Sequence, residues 1–408
     1  MTGAGARPAS LRSPTLASEN TTTVRFDPFT DATIADPYPH YAALRAADPV
    51  HWSEKLRAWV LFRHDDVAAV LRDDVRFSAD RRRASRGTRP APPVDLRTIS
   101  SDPPDCVAVR ALLNAALVPR VRAMAPRIDA IVAELVAGLT GKTDVDLVAD
   151  FAYALPIRVI AELFDVPEAQ RARFQELSRT IAGGMDRFYG SDDVSSGLRE
   201  LGAYFLELVG DRTETAGDDL VRRLLRAEHG GDRLAPLEVV AMSAALVFGG
   251  HETTVNLIAN GVLALLRHPA ELERLRADPA LAVPAVEELV RWDTPPQFVS
   301  RVVAEACELR GRRLRPGDAV LLGIGPANRD PAAFAEADRL DVGRTPNVHL
   351  GFGLGTHFCP GAQLARMEAR TAIPALLARF PGLALTGDPV RRRTFILRGL
   401  ERLPVHLV

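Results

Sequence analysis

One cysteine in this chain sits in a setting that metal ligation explains better than packing does. It lies in Phe352-Gly353-Leu354-Gly355-Thr356-His357-Phe358-Cys359-Pro360-Gly361. A thiolate is an excellent ligand for iron, but it must stay deprotonated and shielded from water. Gly353, Gly355 and Gly361 let backbone N–H groups turn toward the sulfur. The Ala/Leu/Arg pattern from Ala362 to Leu377 predicts a helix directly after the loop, and its N-terminus adds roughly half a unit of positive charge. Both effects lower a cysteine pKa. A zinc site would want three or four Cys/His ligands, and only His357 is near. An iron–sulfur cluster would need about four cysteines, and the chain has Cys106, Cys307 and Cys359. That leaves a single metal centre with one thiolate, and haem is the group that fits.

At 408 residues and 47% hydrophobic, the chain is long enough for a large core. No Gly/Ser/Pro linker divides its middle and no repeat is visible. The net charge of −1 gives no overall attraction to nucleic acid or to an anionic membrane. Nowhere are there about 18 consecutive apolar residues, so no transmembrane anchor is expected. Residues 1–24, rich in Ala, Ser, Thr, Pro and Gly, lack the apolar core of a signal peptide. We expect a disordered tail over 1–24 and a single domain over 25–408. Three scattered cysteines give no disulfide framework and point to a reducing, cytoplasmic setting.

Apolar residues recur at three- and four-residue spacing over Asp65 to Arg72, Pro126 to Leu139, Pro167 to Arg179, Ser195 to Val209, Pro236 to His268 and Pro279 to Trp292. Short strand-like runs occur at His51-Trp52, Trp59 to Phe62, Ala319 to Leu322 and Leu403 to Leu407. The expected architecture is mainly α with small β-sheets. Two stretches read as mobile surface. One is Ser78 to Ser101, with Arg81-Arg82-Arg83, Arg86 and Arg89. The other runs from Gly183-Gly184 to Gly190-Ser191-Asp192-Asp193.

Pro236 to His268 predicts one helix of about 50 Å at 1.5 Å per residue. Its middle holds Phe248-Gly249-Gly250-His251-Glu252-Thr253-Thr254. Two adjacent glycines inside a helix cost roughly 1 kcal/mol each against alanine. Close packing against another helix would explain them. So would a side-chain-free patch that lets a broad flat cofactor and dioxygen approach the backbone. The Thr253 hydroxyl can bond the carbonyl of Gly249, four residues back. His251 reads as a packing or surface histidine rather than a ligand.

From Asp27 to the C-terminus the sequence resembles the cytochrome P-450 family, whose haem-binding signature the Cys359 loop matches at its fixed positions. The resemblance implies a single large triangular helical domain holding heme b, with Cys359 as the iron ligand and O2 as co-substrate. It implies a monooxygenase of the soluble bacterial kind. Such an enzyme inserts one oxygen atom into an apolar or mixed-polarity small molecule, by hydroxylation or epoxidation, in secondary metabolism. Electrons would come from a ferredoxin and its reductase, for which Arg366 and Arg370 are either a docking pair or solvated charges. The alternatives are a haem protein without oxygenase activity, or one catalysing oxidative coupling or peroxide-driven oxidation.

Residue by residue, the resemblance makes Glu252 and Thr253 the acid–alcohol pair that delivers protons for dioxygen cleavage. Glu252 as a structural ion-pair partner is the other reading. Arg110, Arg301 and His349 match propionate partners, and Phe352, Gly353 and Gly361 shape the haem loop. Glu288, Arg291 and Arg344 match a structural trio behind it. Ala245, Phe248, Gly249, Gln297, Phe298, Val299 and Phe395, with Ile396, would wall the substrate pocket. The chain departs from the family pattern at Cys106, commonly histidine, at Ala108, often arginine, and at Gly249, commonly alanine.

Overall fold

The computed structural model describes residues 25–84, 97–185, 192–214 and 217–407. The expected tail over 1–24, with Arg86, Arg89, Gly190 and Ser191, lies outside them.

The architecture is organised by one helix, Pro236–Arg267. It is apolar on nearly every face, and Val239, Val255, Ile258, Val262 and Leu265 are fully buried, as an all-round hydrophobic helix must be. Pro236 opens it without wasting an N–H. The Glu238 carboxylate accepts the Ala235 N–H at 2.9 Å and is itself held by Arg97 Nε at 2.9 Å. The chain leaves helical geometry at His268, ahead of Pro269. Around this axis pack Ala154–Leu163, Asp192–Glu214, Ala282–Trp292 and Ala362–Arg379.

The expected helices appear with shifted ends. Proline-led starts at Glu168–Gln170 and Pro279–Leu281 are 3-10 turns ahead of the α-helices Arg171–Met185 and Ala282–Trp292. Gly183-Gly184, expected in mobile surface, falls within the first of these helices. In the arginine-rich stretch, Arg81–Arg83 form a 3-10 turn and Arg82 Nε donates to Asp80 at 2.9 Å. The main sheet runs Val50–Ser53, Ala58–Leu61, Ala319–Gly323, Phe298–Val303, Phe77–Ser78. Ala58–Leu61 and Ala319–Gly323 run parallel, and the other pairs are antiparallel. Side chains alternate across a strand, so Val299 and Arg301 share one face of Phe298–Val303, and Phe298 points to the other.

Glu288 and Arg291 are both fully buried and pair in two parallel hydrogen bonds of 2.7 and 2.8 Å. Arg344 Nε reaches the same carboxylate at 3.0 Å. The remaining Arg291 N–H groups donate to the carbonyls of Asn328, Ala337 and Arg339. The three residues of the expected trio therefore meet in one knot, joining the Ala282–Trp292 helix to the chain that leads into the cysteine loop.

Candidate active site

The cysteine loop is shaped by backbone contacts. Cys359 N–H donates to the Phe352 carbonyl at 2.8 Å, closing the turn. Gly355 has φ +72°, and a Cβ there would lie 2.8 Å from the Leu71 carbonyl oxygen. Only glycine lets the loop sit this close to helix His64–Arg72. Burial raises the Cys359 thiol pKa; the N–H groups of Gly361 and Ala362 and the charges of Arg110 and Arg366 offset part of that rise. The net direction is opposite to the expectation, because desolvation outweighs the loop and helix donors. A coordinated cation reverses it, since a metal deprotonates its thiol outright. Among the described residues no group of three or more His, Cys, Asp or Glu gathers as a metal cluster.

On the central helix, Ala245, Phe248 and Thr253 are half-buried and Gly249 is exposed, in contrast to the buried faces around them. They form an open stripe at three- to four-residue spacing. A Cβ at Gly249 would meet nothing within 4 Å, whereas one at Gly250 would lie 3.3 Å from Ile160 Cδ1. Close packing thus accounts for Gly250 alone. Thr253 Oγ1 donates to the Gly249 carbonyl at 2.6 Å. His251 hydrogen-bonds through Nδ1 to Ser178 Oγ at 2.7 Å and crosses the Tyr153 ring edge-on, so it is a packing residue. Glu252 is 2% exposed and paired with Arg392, Nη1 to Oε2 at 2.9 Å.

Near the loop, Arg110 and Arg301 form no ion pair with a carboxylate among the described residues, and His357 stands beside them. Arg301 is 7% exposed; its Nη1 donates to the Ser300 carbonyl, while its Nε has no partner. Burial lowers the pKa of Arg301 and of Arg110, and Arg110 feels the charge of Cys359. His357 Nδ1 donates to the Ile99 carbonyl at 3.0 Å, while its Nε2 makes no hydrogen bond and lies 3.8 Å from Asp74 Oδ1. Burial first, then the Arg301 charge, lowers its pKa. Two desolvated arginines without a carboxylate, with the neutral His357 as a further hydrogen-bonding group, suit a dianionic group. A haem would find its ligand in Cys359, cations for its propionates, and a side-chain-free helix turn at Gly249. The residues fit the group.

Several expected residues lie elsewhere. His349 bonds Glu287 through Nε2 at 3.1 Å and accepts the Gly351 N–H on Nδ1, so both ring nitrogens are committed away from a propionate. Gln297 is 1% exposed and turned toward Thr294, Tyr38 and Gly325. Phe298 and Phe395 belong to a buried aromatic cluster with Phe26, Tyr41 and Phe62. These three leave the pocket wall, and Val299 and Ile396 stay half-buried. Arg366 and Arg370 both bind Glu287, at 2.7 and 2.8 Å. Arg366 also stacks 4.2 Å over the Phe352 ring, so the pair braces the loop rather than standing free.

The Cytochrome P450 family model matches residues 209–394. The chain is 40% identical over 406 residues to the vitamin D(3) 25-hydroxylase of Pseudonocardia autotrophica, covering 96% of this chain and 98% of that protein. The chain belongs to the cytochrome P450 family. This P450 is also 38% identical over 396 residues to the 6-deoxyerythronolide B hydroxylase of Saccharopolyspora erythraea, with 92% of this chain and 97% of that one covered. The crystal structure of CYP109E1 from Bacillus megaterium in complex with testosterone superposes with a TM-score of 0.82 at 32% identity, covering 91% and 99% of the two chains. The protein is accordingly a P450 monooxygenase that uses haem, a cysteine thiolate ligand, O2, a small organic substrate and an external electron donor. Among the described residues no helix is long and apolar enough to cross a membrane.

For this P450, two site residues escaped the sequence reading. His357 stands inside the signature, two positions before Cys359, and its position there was the available signal. Arg392 gave none, because nothing in Arg391-Arg392-Arg393 tells which arginine turns inward.

Proposed function

We propose that Thr253 and Glu252 supply the protons for dioxygen cleavage, and that Ala245, Phe248, Gly249, Val299 and Ile396 form the wall against which the substrate lies. Haem, held through the Cys359 thiolate, would supply the dioxygen-activating chemistry. The protein's task is then to hold a carbon nearby, keep bulk water out and deliver protons along one path. The observation that carries this reading is the Thr253 hydroxyl bonded to the Gly249 carbonyl at 2.6 Å in the open part of the central helix. That bond spends the hydroxyl proton on a backbone carbonyl, leaving its oxygen lone pairs free to order a water. Arg110, Arg301 and His357 hold the propionates.

The wall is apolar with the peptide groups of one helix turn exposed, which favours a bulky, mostly hydrocarbon substrate. The vitamin D(3), 6-deoxyerythronolide B and testosterone in the names of its relatives agree with that class. Secondary-metabolite tailoring, a ferredoxin with its reductase as the electron donor, and a cytoplasmic setting complete the proposal.

Thr253→Val tests it, since valine keeps the shape but neither donates nor accepts a hydrogen bond. Haem spectrum and substrate affinity should stay as in wild type, with more peroxide and less product per reducing equivalent. Glu252→Gln should slow turnover. If Thr253→Val couples electrons to product as well as wild type does, the relay reading is wrong.

A further inference from the structure

Glu287 and Glu288 are consecutive on the helix Ala282–Trp292, so their side chains diverge by about 100°. Glu288 faces the arginine knot. Glu287 faces the cysteine loop, and its carboxylate gathers both ends of it. At the front end, His349 bonds Glu287 Oε2 through Nε2 at 3.1 Å. At the rear end, beyond Cys359, Arg366 Nη2 donates to the same oxygen at 2.7 Å and Arg366 Nε to Oε1 at 2.8 Å. Arg370 Nη2 adds a bond to Oε1 at 2.8 Å, one turn further along the helix Ala362–Arg379.

Two of these partners also pack the inside of the loop. The His349 ring lies 5.9 Å from the Phe352 ring, and the Arg366 guanidinium lies 4.2 Å from the centre of the same ring. The Phe352 carbonyl in turn accepts the Cys359 N–H at 2.8 Å. Two short routes thus run from Glu287 to the cysteine, one through each end of the loop, and they meet at Phe352. Three residues on from Glu287, on the same side of its helix, Val290 lies under the loop. A Cβ at Gly351 would come within 2.3 Å of Val290 Cγ1, so the loop rests directly on this helix.

We propose that Glu287 is a positioning residue for the thiolate ligand, a clamp that closes both ends of the cysteine loop on one carboxylate. This rests on Cys359 as the iron ligand and adds what keeps its sulfur in place. Without the clamp the two ends part, Phe352 loses its packing on both sides, and the thiolate leaves the metal sooner than the fold unravels.

The test uses the haem-loaded protein and follows the reduced carbon monoxide adduct in urea too dilute to change the far-ultraviolet circular dichroism. It reads the rate at which the red-shifted band of thiolate ligation gives way to an unshifted one. Glu287→Ala should speed that change several-fold. Glu287→Gln, which keeps one acceptor oxygen, should fall between it and wild type. Glu162 is the matched control: it pairs with Arg127 and Arg171 at 2.8 and 3.0 Å, and its side chain is 21% exposed against 20% for Glu287. Its partners lie outside the loop. Glu162→Ala should therefore lower the global unfolding midpoint and leave the band change at the wild-type rate. His349→Ala should speed the change in the wild-type background and add little to Glu287→Ala, because the two act through one contact. Glu287→Gln and His349→Ala give the same comparison with Glu162→Ala if Glu287→Ala does not load haem. If the Glu287 and Glu162 variants change band at the same rate, Glu287 contributes general stability only and the clamp is wrong. If wild type itself shows no red-shifted band, the thiolate ligation falls and the clamp with it.

Discussion

Thr253 bonds back to Gly249 across one turn of the central helix, at the position where an added Cβ would touch nothing within 4 Å. A neighbour's packing therefore does not explain this glycine. By contrast, a Cβ at Gly261 would lie 3.0 Å from Leu289 Cδ1 and 3.3 Å from Ile373 Cδ1. Gly249→Ala should stabilise the protein against denaturant by about 1 kcal/mol, the helix-propensity difference. Gly261→Ala should forfeit that gain, because Leu289 and Ile373 must move. Equal midpoints for the two variants would count against this division of roles.

The buried knot gives the largest stability effect. Glu288→Gln keeps the shape while leaving Arg291 and Arg344 without their carboxylate. Breaking one side of a buried pair costs about 3–5 kcal/mol, and chemical unfolding should show a loss of that size. A loss no larger than for a surface substitution would mean the arginine–carbonyl bonds carry the knot alone.

The long helix, the cysteine loop and the Glu288–Arg291 spacing were legible because each writes a local rule into the sequence. Which face a residue presents was not. Gln297, Phe298 and Val299 are consecutive, yet only Val299 shares a strand face with Arg301. The strand itself went unseen because Arg301 interrupts its apolar run. The partners of His349, Arg366 and Arg370 were not legible for one reason: all three meet Glu287, and pairing between distant segments leaves no mark in either.

Haem retention follows from the buried Arg301 guanidinium and the neutral His357 beside it. Arg301→Ala or His357→Ala should lose haem to an apo-acceptor faster than wild type. Comparable buried charge pairs cost roughly 2–5 kcal/mol when truncated. Cys106→Ala should be near neutral, since burial raises that thiol to about 11 and leaves it uncharged. A Cys106→Ala rate as fast as Arg301→Ala would reverse the assignment.

Glu287 sets part of the acid limb of stability. Burial pushes its carboxyl pKa up, but hydrogen bonds from His349 and Arg366 hold it well below the ordinary 4.5. A folded-state pKa below the unfolded one contributes stability that is present above the unfolded value and lost as pH falls through the folded one. Glu287→Gln should therefore be less stable than wild type near neutrality, and the gap should narrow as pH drops below 4.5. A gap constant with pH would exclude the carboxylate as its source.

The most direct measurement is the absorption spectrum of the reduced carbon monoxide adduct across the three cysteines. Wild type, Cys106→Ala and Cys307→Ala should all show the red-shifted band of thiolate ligation, because of the three cysteines only Cys359 lies in the glycine loop. Cys359→His should bind haem without that band, since imidazole donates less charge to iron. If Cys359→His and Cys359→Ser keep the band while a change at Cys106 or Cys307 removes it, Cys359 is not the ligand and the site proposed around it is wrong.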